Sequence, residues 1–153
     1  MSYAIKARLT PRLGSIVWTD WPALFCVLAI PGIWLVGLLF PLLKRGASFG
    51  PFEIFAIAVP ISVVAAGVLA WRILRIYWFF ARGRPVTATI TKLAIVRDRG
   101  RLEIEYEVEG RRHESWTPVH KNKRVMALEP GKPVAALVDP ARPDRAIVRD
   151  LYV

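Results

Sequence analysis

The sequence predicts an α+β membrane protein, a two-helix transmembrane hairpin followed by a small antiparallel β-barrel or curled sheet. Three observations predict it. Two long apolar runs, Trp21 to Leu43 and Phe52 to Ala70, flank the polar break Lys44-Arg45-Gly46-Ala47-Ser48. Charge is held back until they are past: only nine of the 22 basic and 12 acidic side chains lie in residues 1–81. After Pro85 the apolar residues recur with a period of two, the mark of half-buried strands. The chain divides accordingly into an N-terminal tail and hairpin, residues 1–82, and a soluble β domain, residues 83–153.

A helix needs about 20 apolar residues to cross the hydrocarbon core of a bilayer. The first run carries no charged side chain, and the second only Glu53 at its outer edge. The spans are expected over about 18–43 and 52–80. Lys6, Arg8 and Arg12 form a basic leader, but the apolar run behind them is too long for a signal core and no small-residue cleavage site follows, so the first span is read as retained. Pro31 and Pro60 remove backbone donors and are expected to bend the two helices. Each freed carbonyl then needs a partner or a covering helix.

Cations set the expected orientation. Lys6, Arg8 and Arg12 precede the first span, Arg72, Arg75, Arg82 and Arg84 end or follow the second, and Lys44 and Arg45 sit between. The positive-inside bias places both termini in the cytoplasm and the loop outside, in a two-pass membrane protein. Trp18, Trp21, Arg72, Arg75, Trp78, Arg82 and Arg84 are the candidate membrane-interface residues, because amphipathic rings and snorkelling arginines favour that depth. Ala58, Ser62, Ala66 and Ala70 recur every fourth residue as a small-residue stripe. Such a stripe lets another helix approach closely, either the first span or a second subunit. Neither span has a central ionisable residue, which argues against a pump or transporter acting alone.

In the charged half, Val86, Ala88 and Ile90 alternate with threonines, and Leu102, Ile104, Tyr106 and Val108 alternate with Glu103, Glu105, Glu107 and Glu109. Further strands are expected at 112–117, 133–138 and 145–148. Turns are expected at Asp98-Arg99-Gly100 and Glu109-Gly110. The four glutamates fall on the solvated face, where Lys92, Arg111 or Arg112 can pair with them across strands. Lys121-Asn122-Lys123-Arg124 reads as a solvated basic loop, with contact to lipid headgroups as the alternative.

Chemistry-bearing patterns are missing. There is no P-loop, no dinucleotide-binding glycine fingerprint and no nucleophile elbow. His113 and His120 lack the further ligands that a metal site needs. The single cysteine, Cys26, lies in the first span and suits a small hydrophobe. The net charge of +10 reflects span-flanking cations and a β domain whose arginines are mixed with carboxylates, not a nucleic-acid-binding stripe. No catalytic residue, metal or cofactor is expected.

Three stretches carry a family resemblance. They are Gly83-Arg84-Pro85-Val86-Thr87-Ala88-Thr89-Ile90, then Ile104-Glu105-Tyr106-Glu107-Val108-Glu109-Gly110, and the closing run from Gly131 to Pro143 with its Asp139-Pro140-Ala141-Arg142-Pro143 element. Over about residues 72–148 the chain resembles a widespread bacterial family of membrane proteins of unknown function, whose members place one to three membrane helices beside a small β domain. Val138 stands where that family often has an aromatic residue. The resemblance implies an anchored β module and supplies no catalytic residues. Asp139 reads as a turn former that bonds forward to the backbone while Pro140 and Pro143 fix φ.

The function expected from the sequence is that of a non-enzymatic accessory or scaffold subunit of an inner-membrane complex, with an integral membrane protein as partner. The alternative is a stand-alone sensor or anionic-lipid-binding module, motivated by the basic residues at the boundary and in 121–124. Membrane lipids are partners in both readings, and nucleic acid in neither.

Overall fold

A computed structural model describes residues 10–43 and 51–153. The N-terminal Lys6 and Arg8 and the interhelical Lys44 and Arg45, on which part of the orientation argument rests, lie outside those residues. A short helix α1 (Leu13–Thr19) leads into α2 (Trp21–Leu43) and α3 (Pro51–Arg82). The strands are β1 (Arg84–Val96), β2 (Arg99–Val108), β3 (Arg111–His120), β4 (Pro133–Asp139) and β5 (Arg142–Val148). A one-turn helix α4 (Lys123–Met126) lies between β3 and β4, and a 3₁₀ turn (Arg149–Leu151) follows β5. Two apolar helices followed by a nearly closed five-stranded antiparallel barrel make the expected α+β fold.

The first span begins later than expected. The helix breaks at Asp20, whose backbone is extended, so Trp18 and Thr19 belong to the separate helix α1. Helices α2 and α3 then run on through Pro31 and Pro60. They pack through small contacts: Gly37 faces the Ile54 side chain, and the Trp34 indole N–H donates to the Ser62 hydroxyl at 3.1 Å. Trp34 also meets the Phe55 ring edge-on at 5.3 Å.

The sheet has the order β3-β2-β1-β4-β5, all antiparallel. Its curl begins in β1, which serves two ladders in turn. Residues Arg84–Thr89 pair with β4, whereas Ala88–Val96 pair with β2, with a bulge between Ile90 and Lys92. A bulge bends its strand and raises the local twist, and this brings the two edge strands together. The Ser115 hydroxyl on β3 closes the seam, accepting from the Ala146 N–H at 3.3 Å and facing the Ala146 carbonyl at 3.4 Å.

Alternation decides the faces as expected. Leu102, Ile104 and Tyr106 are buried inside with Ile90, Val119, Val138 and Val148, and the glutamates of β2 point outward. Glu105 pairs with Arg112, Glu103 with Arg101 at 2.9 Å and Glu109 with Arg84 at 3.5 Å. The Glu109-Gly110 turn forms with both residues at positive φ, 54° and 75°, as a two-residue hairpin of this twist requires. The preceding hairpin turns one residue earlier than expected, at Arg97-Asp98, and Gly100 lies within β2 paired with Ile95. Lys123 and Arg124, expected in a loop, form α4, because the Asn122 side chain accepts from the Val125 N–H at 2.9 Å and caps it. Asp139 forms the expected turn, its Oδ1 accepting from the Ala141 N–H at 2.8 Å and the Arg142 N–H at 3.3 Å.

Tyr106 is 3% exposed and donates to the Pro143 carbonyl at 2.7 Å. Burial, aided by the charge of Asp144, pushes its phenol from 10.0 up to about 12. An acid that ionises more readily unfolded than folded costs stability once the pH passes its unfolded value. Barrel stability is therefore expected to fall as the pH rises from about 10 towards 12. Tyr106→Phe should flatten that part of the slope of melting temperature against pH; an unchanged slope would contradict the assignment.

Candidate functional site

The site is the junction between the paired helices and the barrel, and it is built around an ion pair. Asp20, between α1 and α2, is fully buried. The Arg72 guanidinium on α3 grips it with two hydrogen bonds: Nε donates to Oδ2 at 2.8 Å and Nη2 to Oδ1. Asp20 also starts α2, its carbonyl accepting from the Leu24 N–H at 3.0 Å, so its charge faces the positive end of that helix. A buried charge persists only when paired and hydrogen-bonded. The pair therefore locks α2 and α3 in register, 52 residues apart in the chain.

The C-terminal residues complete the junction from the barrel side. The Thr19 hydroxyl faces the Leu151 carbonyl at 3.4 Å, and the Tyr152 carbonyl accepts from the Arg12 N–H at 3.0 Å. Asn122, besides capping α4, donates to the Trp18 carbonyl at 3.1 Å and the Thr19 hydroxyl at 3.3 Å. Arg124 reaches the Ser15 hydroxyl at 3.1 Å. Tyr152 is 1% exposed, and burial with the nearby Asp20 charge raises its phenol well above the usual range, keeping it neutral. Arg99 at the start of β2 lies over the Trp21 ring at 4.9 Å.

The last turns of α3 enter the barrel packing. Ile76 and Phe79 are buried in the same apolar cluster as Leu137, Val138 and Tyr152, with Trp78 and Phe80 packed against it. At Gly83, where helix becomes strand, a Cβ would stand 2.4 Å from the Phe79 carbonyl oxygen, so the change of direction needs a residue without one. Beside this helix end are two connected clefts. The larger, about 570 Å³, runs along the β3–β5 seam from Trp71, Arg72 and Arg75 past Ser115 to Tyr152. The smaller, about 350 Å³, lies between α3 and the β4–β5 hairpin.

Of the interface residues read from the sequence, the structure brings Trp21, Arg72 and Arg75 to this junction. Arg75 lies over the rings of Trp71 at 5.7 Å and Phe79 at 5.9 Å. Trp78 is half-buried against the barrel core, Trp18 stands exposed on α1, and Arg82 and Arg84 are exposed beyond the helix end. The small-residue stripe splits: Ala58 is buried and Ser62 bonded within the hairpin, whereas Ala66 and Ala70 are exposed. The cause is helical drift, since a repeat of four advances about 40° per step on a helix of 3.6 residues per turn. The buried line on α3 instead runs through Ala58, Ala65, Ile76 and Phe79. His113 stacks on Tyr106 at 6.0 Å, and His120 lies at the far end of the same strand.

Asp20 and Arg145 are junction residues that sequence reasoning passed over. Asp20 had a readable signal, being the one carboxylate bordering the first apolar run, matched by an arginine bordering the second. Arg145 had none, because only the curl of the sheet brings β5 beside α3.

No curated protein and no solved structure matches the chain. Residues 81–151, which begin on the last turn of α3 and take in all five strands, match the family described as Domain of unknown function (DUF3592).

Proposed function

We propose that this chain is a non-enzymatic accessory or scaffold subunit of a bacterial inner-membrane assembly, anchored by two passes with both termini cytoplasmic. The observation that carries the reading is the bareness of the two apolar helices. In their most apolar windows only 17% of α2 and 6% of α3 is buried, where the core helix of a water-soluble protein would be mostly covered. Leu28, Leu38, Val63 and Val64 are among the exposed side chains. At about 1.5 Å per residue, Trp21–Leu43 and Phe52–Trp71 each measure roughly 30–35 Å, the thickness of a hydrocarbon core. The Asp20–Arg72 pair then stands at one membrane face, and the rest of α3 carries the barrel into water. Arg12, Arg75, Arg82 and Arg84 gather on that side, which supports a cytoplasmic barrel.

The exposed Ala66 and Ala70 support a partner helix, since small side chains admit close backbone approach where lipid removes the hydrophobic drive. The test is purification of tagged, full-length protein in mild detergent with a photocrosslinker at the exposed Val63, one turn before Ala66. The expected product is an adduct with a second integral membrane protein, lost when Ala66 and Ala70 both become leucine. Recovery only as a monomer or homo-oligomer would count against the subunit reading. Release of the chain from vesicles by carbonate would count against membrane anchoring itself.

A further inference from the structure

In the 121–124 segment, where headgroup contact was the alternative reading, Asn122 caps α4 and Arg124 is committed to Ser15. Two other arginines are not. Among the described residues, neither Arg75 nor Arg145 takes part in an ion pair. Both line the smaller cleft, Arg75 from α3 and Arg145 from β5. The remaining helical wall is apolar: Trp71, Leu74, Trp78 and Phe79, which with Arg75 follow the i, i+3, i+4, i+7, i+8 pattern of one helix face. Trp71 is 57% and Leu74 67% exposed, so this face presents bare apolar surface beside free cations.

The cleft's one carboxylate, Asp139, is engaged by the Ala141 and Arg142 amides. Arg75 and Arg145 also border the larger cleft, where Glu114 and Asp144 lie, but among the described residues no ion pair joins either arginine to those carboxylates. Arg75 is already placed by stacking on Trp71 and Phe79, which leaves the N–H edge of its guanidinium to bind.

We propose that this cleft holds the phosphate of an anionic membrane phospholipid between Arg75 and Arg145, with the acyl chains lying along Trp71, Leu74 and Trp78. Paired guanidinium groups match the geometry of phosphate oxygens. Arg75 lies one helical turn beyond Trp71, at the depth of a headgroup when Asp20 and Arg72 mark the membrane face. A soluble phosphate ester would make no use of the exposed apolar wall. The inference goes beyond the subunit reading and rests only on its membrane placement.

The test uses full-length protein in nanodiscs of phosphatidylcholine with or without phosphatidylglycerol, read by native mass spectrometry of retained lipid. Phosphatidylglycerol retention is expected to weaken about fivefold for each arginine removed, in Arg145→Gln and in Arg75→Gln/Arg145→Gln. Arg97→Gln/Arg111→Gln removes the same charge from exposed positions elsewhere on the barrel and should retain lipid as wild type does. Arg145→Gln alone, on an exposed strand position, keeps the test free of folding loss, which the thermal unfolding curve checks. Equal retention by all variants, or equal loss in both double variants, would overturn the site. So would binding of inorganic phosphate without lipid preference. Failure of the wild type to enter nanodiscs would overturn the membrane placement too, whereas entry without phosphatidylglycerol enrichment would overturn this inference alone.

Discussion

Arg72→Met is expected to destabilise the junction by about 3–5 kcal/mol, because it strands the fully buried Asp20 carboxylate without a counter-charge. The loss is not the worth of the pair in isolation. Desolvation of both groups offsets much of their attraction, so removing both charges should cost less than removing one. Asp20→Asn/Arg72→Met is therefore expected to recover a large part of the stability lost by Arg72→Met. Thermal unfolding in detergent, followed by proteolysis at the α1–α2 break, measures both. A double variant as unstable as the single would show that the guanidinium matters for packing and not for charge. The readout is specific to the junction: Asp20 holds the N-terminus of α2, so its release should expose the Thr19–Trp21 linkage to protease before the barrel melts.

Phe79→Ala is the second large effect, expected at about 3–5 kcal/mol as a buried aromatic ring is lost and a cavity remains. Phe79 is 2% exposed and lies in the cluster that includes Leu137, Val138 and Tyr152. It is the residue through which α3 enters the barrel core. Its loss should lower the melting temperature of the strand signal and uncouple it from the helical signal, which in the wild type are expected to melt together. Arg82→Ala, one turn on and exposed, should change stability by less than about 0.5 kcal/mol. Coincident melting of helices and strands in Phe79→Ala would show that the other junction contacts, Arg12 to Tyr152 and Asn122 to Trp18 among them, suffice to couple the two halves.

If both results hold, the helices and the barrel form one mechanical unit. A partner at Ala66 and Ala70, or a lipid at Arg75 and Arg145, would then act on a barrel rigidly joined to its anchor.

The extent of the fold that was legible in the sequence follows from the range of the interactions that set it. Two apolar runs declare themselves because crossing a bilayer requires about 20 consecutive apolar residues, whatever surrounds them. The strands of Leu102–Val108 and Val86–Ile90 declare themselves because a half-buried strand must alternate. Asp139 was readable as a turn former because its hydrogen bonds reach only two and three residues ahead.

What the local pattern left open was decided by tertiary contact. The break at Asp20 leaves a buried carboxylate, and the partner that meets it, Arg72, comes from far along the chain. The small-residue stripe fails to stay on one face because four residues overshoot a helical turn, and the neighbour that α3 packs against is chosen by Ala58, Ala65, Ile76 and Phe79. Arg145 reaches the helix only because β1 serves two ladders around a bulge and the sheet curls until Ser115 meets Ala146. By itself, then, the sequence determined which segments are greasy, which are pleated and where the chain turns, since these depend on neighbours within a few residues. Only the folded chain decided which charges are spent in pairs and which two arginines are left free beside an apolar wall, since that depends on residues brought together from distant parts of the sequence.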